Sequence, residues 1–563
     1  MLEGDDHSVA RDIPATLADS LMARLDRLGP AKEVAQLAAV LGREFSYEML
    51  HAVSPMPEDE LQAALAKLGD AELIYARGVA PDATYQFKHA LVQDSAYEAL
   101  LKSRRRELHR LVARAIADKF PAVADAQPEV LAHHWTEAGD AELAIAAWRK
   151  AADATYARHA FKEAEESYKQ ALAILNTSPE SAERDARELD LMSPLVQVLQ
   201  LTKGWNAPQA VEAVARSQAL AEKSGDLSKL VLQVHGTWAR ALVAGDLRVA
   251  LGLADQVLDL ARREGSPASL GFAYQAELTT RLYCGDFAGS EEHFVRGREF
   301  FDAPGFRQAP GVHAFAFGQA CINAWIIGRA DSARERSRQS FAAARESNSP
   351  SDLVAAQLFA AALSLGLREP GQAETLSAQM LALSDAHGFP FYAAQSRILL
   401  GCARAHLGRT GEGVALIRQG LTELSETRTR SALTTWLAYL SEAQALDGAT
   451  ANGLDTIDEA LAVNPEELEL RPDLFRARRE LLLKTGLSDL AEADFREAIA
   501  LAQKMSAKTY ELRATTSLAR LLVNQGKRDE ARAMLAEIYG WFTEGFDTAD
   551  LRDAKALLDE LNE

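Results

Sequence analysis

A small residue returns at a near-constant interval along most of the chain, and this restricts the fold more than any other feature. Ala250, Ser290, Ala333, Ala373, Gly413, Gly453, Ala491 and Ala531 are separated by 40, 43, 40, 40, 40, 38 and 40 residues. Each follows a turn, read at Gly245, Gly285, Gly328, Gly366, Gly408, Gly448, Gly486 and Gly526. The clearest copy is Gly486, Ala491, Phe495, Ala498, and His159, Ala164, Tyr168, Ala171 fits the same frame. Spacings of four and seven put the residues after the turn on one helix face. Glycine supplies the backbone freedom that a helix end needs. Each unit therefore reads as two helices joined by a tight turn. Such a hairpin cannot bury its face alone, so neighbours stack into a superhelix.

The frame resembles the tetratricopeptide repeat, with a period longer than that family's usual length of roughly 34 residues. About ten hairpins are expected over residues 139–563, the one near Gly204 being the least regular. Trp148, Trp238, Trp325 and Trp436 are expected to pack in the core. At 563 residues the chain is too long for one core. A formal charge of −20 and a pI near 5.2 repel nucleic acid and anionic membrane over most of the surface. Cys284, Cys321 and Cys402 lie far apart, without metal-type spacing, as in proteins of a reducing compartment. The acidic start MLEGDDHSVARD has no signal-peptide pattern, so a cytoplasmic protein is expected. The uncharged run from Gln308 to Gly328 is broken by proline, histidine, glutamine and asparagine, and reads as a buried helix rather than a membrane span.

The first 138 residues do not repeat. Helical patterns cover residues 32–41, 46–53 and 58–68, and "ELIYARGVAPDATYQFKHA" then reads as two strands about a turn. This is the order of a winged-helix domain. The expected organisation is a linker from an upstream domain at 1–30, a winged-helix-like domain at 31–101, connecting helices at 102–138 and the repeat array at 139–563: an all-α chain with one short β-hairpin. The third helix, which would enter a DNA groove, carries Glu58, Asp59, Glu60 and Asp70 against Lys67, so phosphate would repel it. The basic cluster Lys102, Arg104, Arg105, Arg106 and Arg110, with His109 among them, reads as a solvated face or a docking patch for an acidic partner.

Three stretches carry a more specific likeness: "IPATLADSLMARLDRL", "FKHALVQDSAYEALL" and "LAHHWTEAGDAELAIAAWRKAA". They resemble the junction region of bacterial STAND-type ATPases, where a P-loop ATPase precedes a winged helix and tetratricopeptide-like repeats. The wording is similar to the large members that carry a class III adenylate/guanylate cyclase domain. No G-x-x-x-x-G-K-[ST] phosphate loop occurs here, and the cyclase metal aspartates are missing. The resemblance therefore implies the C-terminal half of such a protein, or a stand-alone derivative.

In that family a Met-His-Asp motif closes the winged helix, and its histidine contacts the β-phosphate of ADP. Lys88-His89-Ala90 stands at the matching place, with Lys88 for Met and Ala90 for Asp. The resemblance implies a nucleotide-sensing role for His89 in an intact parent only. The reading from the residues alone is a helix-start histidine. His133-His134 has Glu137 as its nearest carboxylate and lacks the further convergent ligands of a zinc site, and His313 with Cys321 reads as buried helix residues. No catalytic constellation is found. The expected function is a non-catalytic regulatory and protein-binding half, the winged helix relaying state and the superhelix binding protein partners. The alternatives are a stand-alone repeat adapter and a transcriptional regulator using the winged helix on DNA. No cofactor is expected in this chain; ATP or ADP with Mg²⁺ would belong to missing upstream domains. The partners expected are proteins, among them an ATPase or cyclase domain in cis or trans, with no membrane or nucleic acid.

Overall fold

The computed structural model describes residues 15–485 and 491–562, and it forms two compact units that divide between Glu180 and Ser181. The turn read at Gly486 lies outside the described residues, as does the side chain of Ala491.

In the first unit, α1 (Ala15–Asp26) and α2 (Pro30–Leu41) are followed by β1 (Glu44–Ser46), α3 (Tyr47–Val53) and α4 (Glu58–Asp70). The strands β2 (Ile74–Arg77) and β3 (Thr84–Phe87) then form a hairpin. Proline opens α2 and the Ser46 hydroxyl accepts from the Met49 N–H to cap α3, which explains where both helices start. The sheet is antiparallel in the order β1-β3-β2, with Phe45 opposite Tyr85 and Ile74 opposite Phe87. Three residues are too few for β1 to show an alternating pattern, so the sequence does not announce it. Leu25, Val34, Leu50, Leu61, Leu68 and Phe87 are fully buried between helices and sheet. Six helices complete the unit: α5 (Ala90–Glu98), α6 (Lys102–Lys119), α7 (Pro121–Ala126), α8 (Pro128–Ala138), α9 (Ala141–Ala157) and α10 (Phe161–Leu175). The last two are the first repeat hairpin, with His159 in the left-handed region at φ 60°.

The second unit is an α-solenoid of nine hairpins among the described residues. They are α11 and α12 (Ala182–Lys203, Pro208–Ser224), α13 and α14 (Leu227–Val243, Leu247–Glu264), and α15 and α16 (Pro267–Tyr283, Phe287–Gly297). After the single turn α17 (Pro304–Arg307) come α18 and α19 (Val312–Ile326, Ala330–Ser347), α20 and α21 (Pro350–Gly366, Pro370–His387), and α22 and α23 (Pro390–His406, Thr410–Glu426). Then follow α24 and α25 (Leu433–Leu446, Thr450–Val463), α26 and α27 (Arg471–Lys484, Ala491–Lys504), and α28 and α29 (Lys508–Asn524, Arg528–Tyr539), with α30 (Ala549–Asn562) covering the end. No helix among the described residues is long and apolar enough to cross a membrane. The uncharged run forms α18, almost wholly buried, and His313 and Cys321 are interior residues there.

The repeat frame is visible in the packing. Ala250, Ala333, Ala373 and Ala531 have no exposed surface, and Ile457 with Ala460 and Leu535 with Ile538 are buried behind their small residues. At Gly413 an added Cβ would lie 2.5 Å from the carbonyl of Gly401, so α22 and α23 meet backbone to backbone. One turn differs from the expected register. Gly366 is the last residue of α20, and the left-handed turn residue is Arg368 at φ 61°, five positions before Ala373. The pull of a nearby glycine misplaces the turn, because the frame is set by the distance to the small residue and not by glycine itself.

Successive turns of the superhelix touch, about five hairpins apart. The carbonyl of Val243, at the end of α13, accepts from the N–H groups of Arg430 and Ser431 at 2.8 and 3.1 Å. That of Tyr283, ending α15, accepts from Leu468 N–H at 2.8 Å. Trp325, near the end of α18, accepts from the Thr509 hydroxyl, and Gly366, ending α20, accepts from the Arg513 guanidinium at 2.6 Å. The last carbonyls of a helix lack partners within it; the following superhelical turn supplies them for Val243, Tyr283 and Gly366, and adds a second donor at Trp325, which also accepts from Gly328 N–H at 3.0 Å. Turn glycines at this seam are also sterically required: a Cβ on Gly328 would lie 2.8 Å from Trp541 and 3.0 Å from Lys508. Gly408 has nothing within 4 Å, yet the two share nearly the same φ, 89° and 87°. Gly408→Ala should therefore cost about 1–2 kcal/mol for the left-handed backbone alone. Gly328→Ala should lower the urea midpoint further, and equal losses would mean that the seam adds nothing.

Candidate functional site

The first helix of each hairpin faces inward, and these helices enclose a cavity of about 710 Å³ in the second unit. Side chains one turn apart point into it from each helix: Tyr510, Arg513 and Ser517 from α28, Asp473, Arg476 and Glu480 from α26, Tyr439 and Glu442 from α24. Its wall has two characters. Trp205, Trp238, Leu242, Phe315, Phe359 and Phe391 make one region aromatic and aliphatic. Arg368, Glu442, Glu469, Asp473, Arg476 and Arg513 make the other charged.

Most of these charges are paired. Arg513 reaches Asp550 at 2.8 Å and Asp473 at 3.6 Å, and lies 5.1 Å over the ring of Trp325. Arg476 bonds Asp473 at 2.5 Å and Glu480 at 2.9 Å. Burial alone would raise the Asp473 carboxyl, but Arg476 and Arg513 outweigh it and hold the group below its ordinary value. Glu469 has no cation at ion-pair distance among the described residues, and burial raises it to about 7. Its neighbour Glu467, 2 % exposed, is raised to about 8 by burial and by the charge of Glu469. Both sit on the loop whose Leu468 N–H closes the seam onto α15.

The tryptophans expected in the core pack there, and three of them also line the lumen. Trp238, Trp325 and Trp436 are buried, with Trp238 donating to Thr280 at 2.8 Å, yet all three form cavity wall. Trp148, in the first unit, donates to the Thr136 hydroxyl at 2.9 Å. Helical periodicity marks a buried face but does not distinguish a packed core from the wall of a lumen.

The other candidate residues lie in the first unit. His89 is exposed and holds the N-cap position of α5 in extended backbone, without a side-chain cap bond. Lys88 beside it pairs with Glu72 at 3.0 Å. In the basic cluster, Arg105 bonds Glu98 at 2.7 Å and stacks on Tyr97, Arg104 pairs with Glu107 at 2.7 Å, and Arg110 holds Asp140 at 2.7 Å. Lys102 and Arg106 are exposed on α6. The outward face of α4 presents Glu58, Asp59, Glu60, Lys67 and Asp70.

His109 departs from its expected place among solvated cations: it is 1 % exposed. Its Nδ1 lies 2.9 Å from Nδ1 of His134 and its Nε2 2.9 Å from the Tyr97 hydroxyl, with His133 stacked edge-on at 5.8 Å. The helical spacing of Leu108, Val112 and Ile116 carries a buried stripe that His109 borders, which was the available signal. Among the described residues one group of three donors converges as a metal site would, Cys402, His406 and Glu442, and the histidine trio does not.

No protein-family model matches the chain. An uncharacterized protein of Rhizobium meliloti (strain 1021) is 26% identical over 533 residues, covering 90% of this chain and 50% of that protein. The chain thus spans about half the length of this curated relative. Among solved structures, a Rap protein complexed with competence and sporulation factor aligns with a TM-score of 0.49 and 12% identity, over 65% of this chain and 99% of that one. A signal-transduction ATPase with numerous domains (STAND) with a tetratricopeptide repeat sensor, from Pyrococcus horikoshii, aligns with a TM-score of 0.31 and 13% identity, over 75% and 66% of the two chains.

Two pH responses of opposite sign follow. Burial, then the charges of His133 and Arg105, hold His109 down at about 4, and burial, then His109 and His133, hold His134 at about 3. As pH falls below 6.5 the unfolded chain takes up protons that the folded first unit refuses. That unit should lose up to about 1.4 kcal/mol per pH unit per histidine, and His134→Asn should flatten the acid limb in urea titrations at pH 7 and 5. Glu467 and Glu469 act the other way: the unfolded chain releases their protons first, so they cost the solenoid stability as pH rises from about 5 to 8, a loss that His235 and His313, held at about 4, offset only below 6.5. Glu467→Gln with Glu469→Gln should reduce that slope, with Glu277, raised to about 7 by burial, keeping the remainder, and an unchanged slope would place its origin elsewhere.

Proposed function

We propose that this chain is the non-catalytic regulatory and protein-binding half of a cytoplasmic STAND-type signalling ATPase, similar to those joined to class III cyclase domains. In this reading residues 31–101 are a winged helix that relays the state of an ATPase domain, and the solenoid holds a segment of a partner protein in its lumen. The observation that carries it is the lumen. Its volume falls within the roughly 300–1,000 Å³ of ligand sites, and it joins an aromatic region to an array of paired charges. Such a wall suits a polypeptide segment with apolar anchors and hydrogen-bonding groups. The helix–strand–helix–helix–hairpin order of the first unit supports the relay. The acidic outer face of α4 favours protein over DNA as its contact. A relative of about twice the matched length leaves room for an ATPase domain, which would hold the ATP or ADP and Mg²⁺ and meet this half in cis or trans.

A photo-crosslinking residue at Phe315, in the lumen, tests the binding role against one at Val295, exposed on α16. A defined partner should be trapped from Phe315 and not from Val295, and Trp205→Ala should abolish the adduct. Equal trapping at both positions would remove the lumen from the account. The purified chain should bind no ATP at micromolar concentration, and clear binding would overturn its non-catalytic assignment.

A further inference from the structure

We propose that Cys402, His406 and Glu442 bind a zinc-type transition-metal ion, with a further coordination position open to the lumen. Cys402 and His406 stand four residues apart on α22 and so share a face one turn apart. Glu442 comes from α24, the next inward-facing helix. The thiol sulfur, an imidazole nitrogen and a carboxylate oxygen all lie within 4.8 Å of one another. The His406 Nε2 to Glu442 Oε1 separation is 3.3 Å. The two are an ion pair while the imidazole is protonated, and the same approach serves two ligands of one ion once the ring is neutral. That separation equals the edge, about 3.3 Å, of a tetrahedron whose bonds are about 2.0–2.1 Å.

The donor chemistry narrows the ion. Thiolate with imidazole and one carboxylate suits zinc and its neighbours in the first transition row, whereas magnesium and calcium take oxygen ligands throughout. Exposure sets the open position. Cys402 is 1 % exposed, while the His406 and Glu442 side chains keep 32 and 52 % and line the cavity. Three protein ligands with one face toward a lumen is the arrangement of a site that exchanges its fourth ligand, rather than of a closed structural site. The thiol must become a thiolate, so each ion bound by thiol, neutral imidazole and carboxylate releases one proton. Cys284 and Cys321 belong to no such group among the described residues. The inference rests on these three side chains and stands or falls independently of the partner-binding role.

The test uses the full chain, freed of metal with a chelator and titrated with cobalt(II). One equivalent should produce a thiolate-to-cobalt charge-transfer band with the visible bands of a tetrahedral centre, release one proton, and be displaced by zinc. Cys402→Ser should abolish the charge-transfer band, and Glu442→Gln should weaken cobalt binding at least about tenfold. His133→Ala with His134→Ala should change neither. No charge-transfer band at one equivalent, or a band that survives Cys402→Ser, would overturn the site. Should Cys402→Ser fail to fold by circular dichroism, Glu442→Gln decides, because its side chain faces the lumen; unchanged affinity in that variant would also overturn it.

Discussion

The second unit depends on the carbonyl groups that its inward helices cannot satisfy themselves. A helix leaves its last carbonyls without partners, to be met by side chains, water or a tightened last turn. Here Val243, Tyr283, Trp325 and Gly366 are met by donors from the following superhelical turn. Closing the coil this way brings Arg513 over Trp325 and the Glu467–Glu469 loop against α15. The ion pairs of the lumen's charged wall join the neighbouring helices α26, α28 and α30 within one coil, and the buried carboxyls on the seam loop are left to soften the solenoid as pH rises.

The repeat was legible because it is local. The spacing from turn to small residue to second small residue lies within one hairpin, and the burial of Ala250, Ala333, Ala373 and Ala531 follows from it. Even the misplaced turn at Gly366 is corrected by that same spacing, which points to Arg368. The seam was not legible. Its partners lie about 150 to 190 residues apart, and three of its bonds use backbone N–H groups that any residue supplies. For the same reason it was not legible that the buried Trp325 and Trp436 also line the lumen.

The candidate site was legible only in its components. Cys402 and His406 are four apart in the sequence, but Glu442 becomes their neighbour only because α22 and α24 stand side by side. The histidine trio of the first unit shows the same limit: His133 and His134 were visible as a pair, whereas His109 looked like one of several cations until α6 turned it inward. β1 was hidden by its length, three residues that gain their strand identity solely from pairing with β3.

An open solenoid folds as a nearly one-dimensional object, in which repeats can be added or removed at little cost to distant ones. Contact between turns ends that freedom. Removing one hairpin ahead of α24 would shift every later donor out of step with its carbonyl, so the number of repeats per coil is fixed even though each repeat is individually replaceable. It also delays completion during synthesis. The carbonyl of Val243 must wait for some 190 further residues before Arg430 can reach it, so the inward face stays open to other chains for as long as the ribosome takes to deliver the second coil.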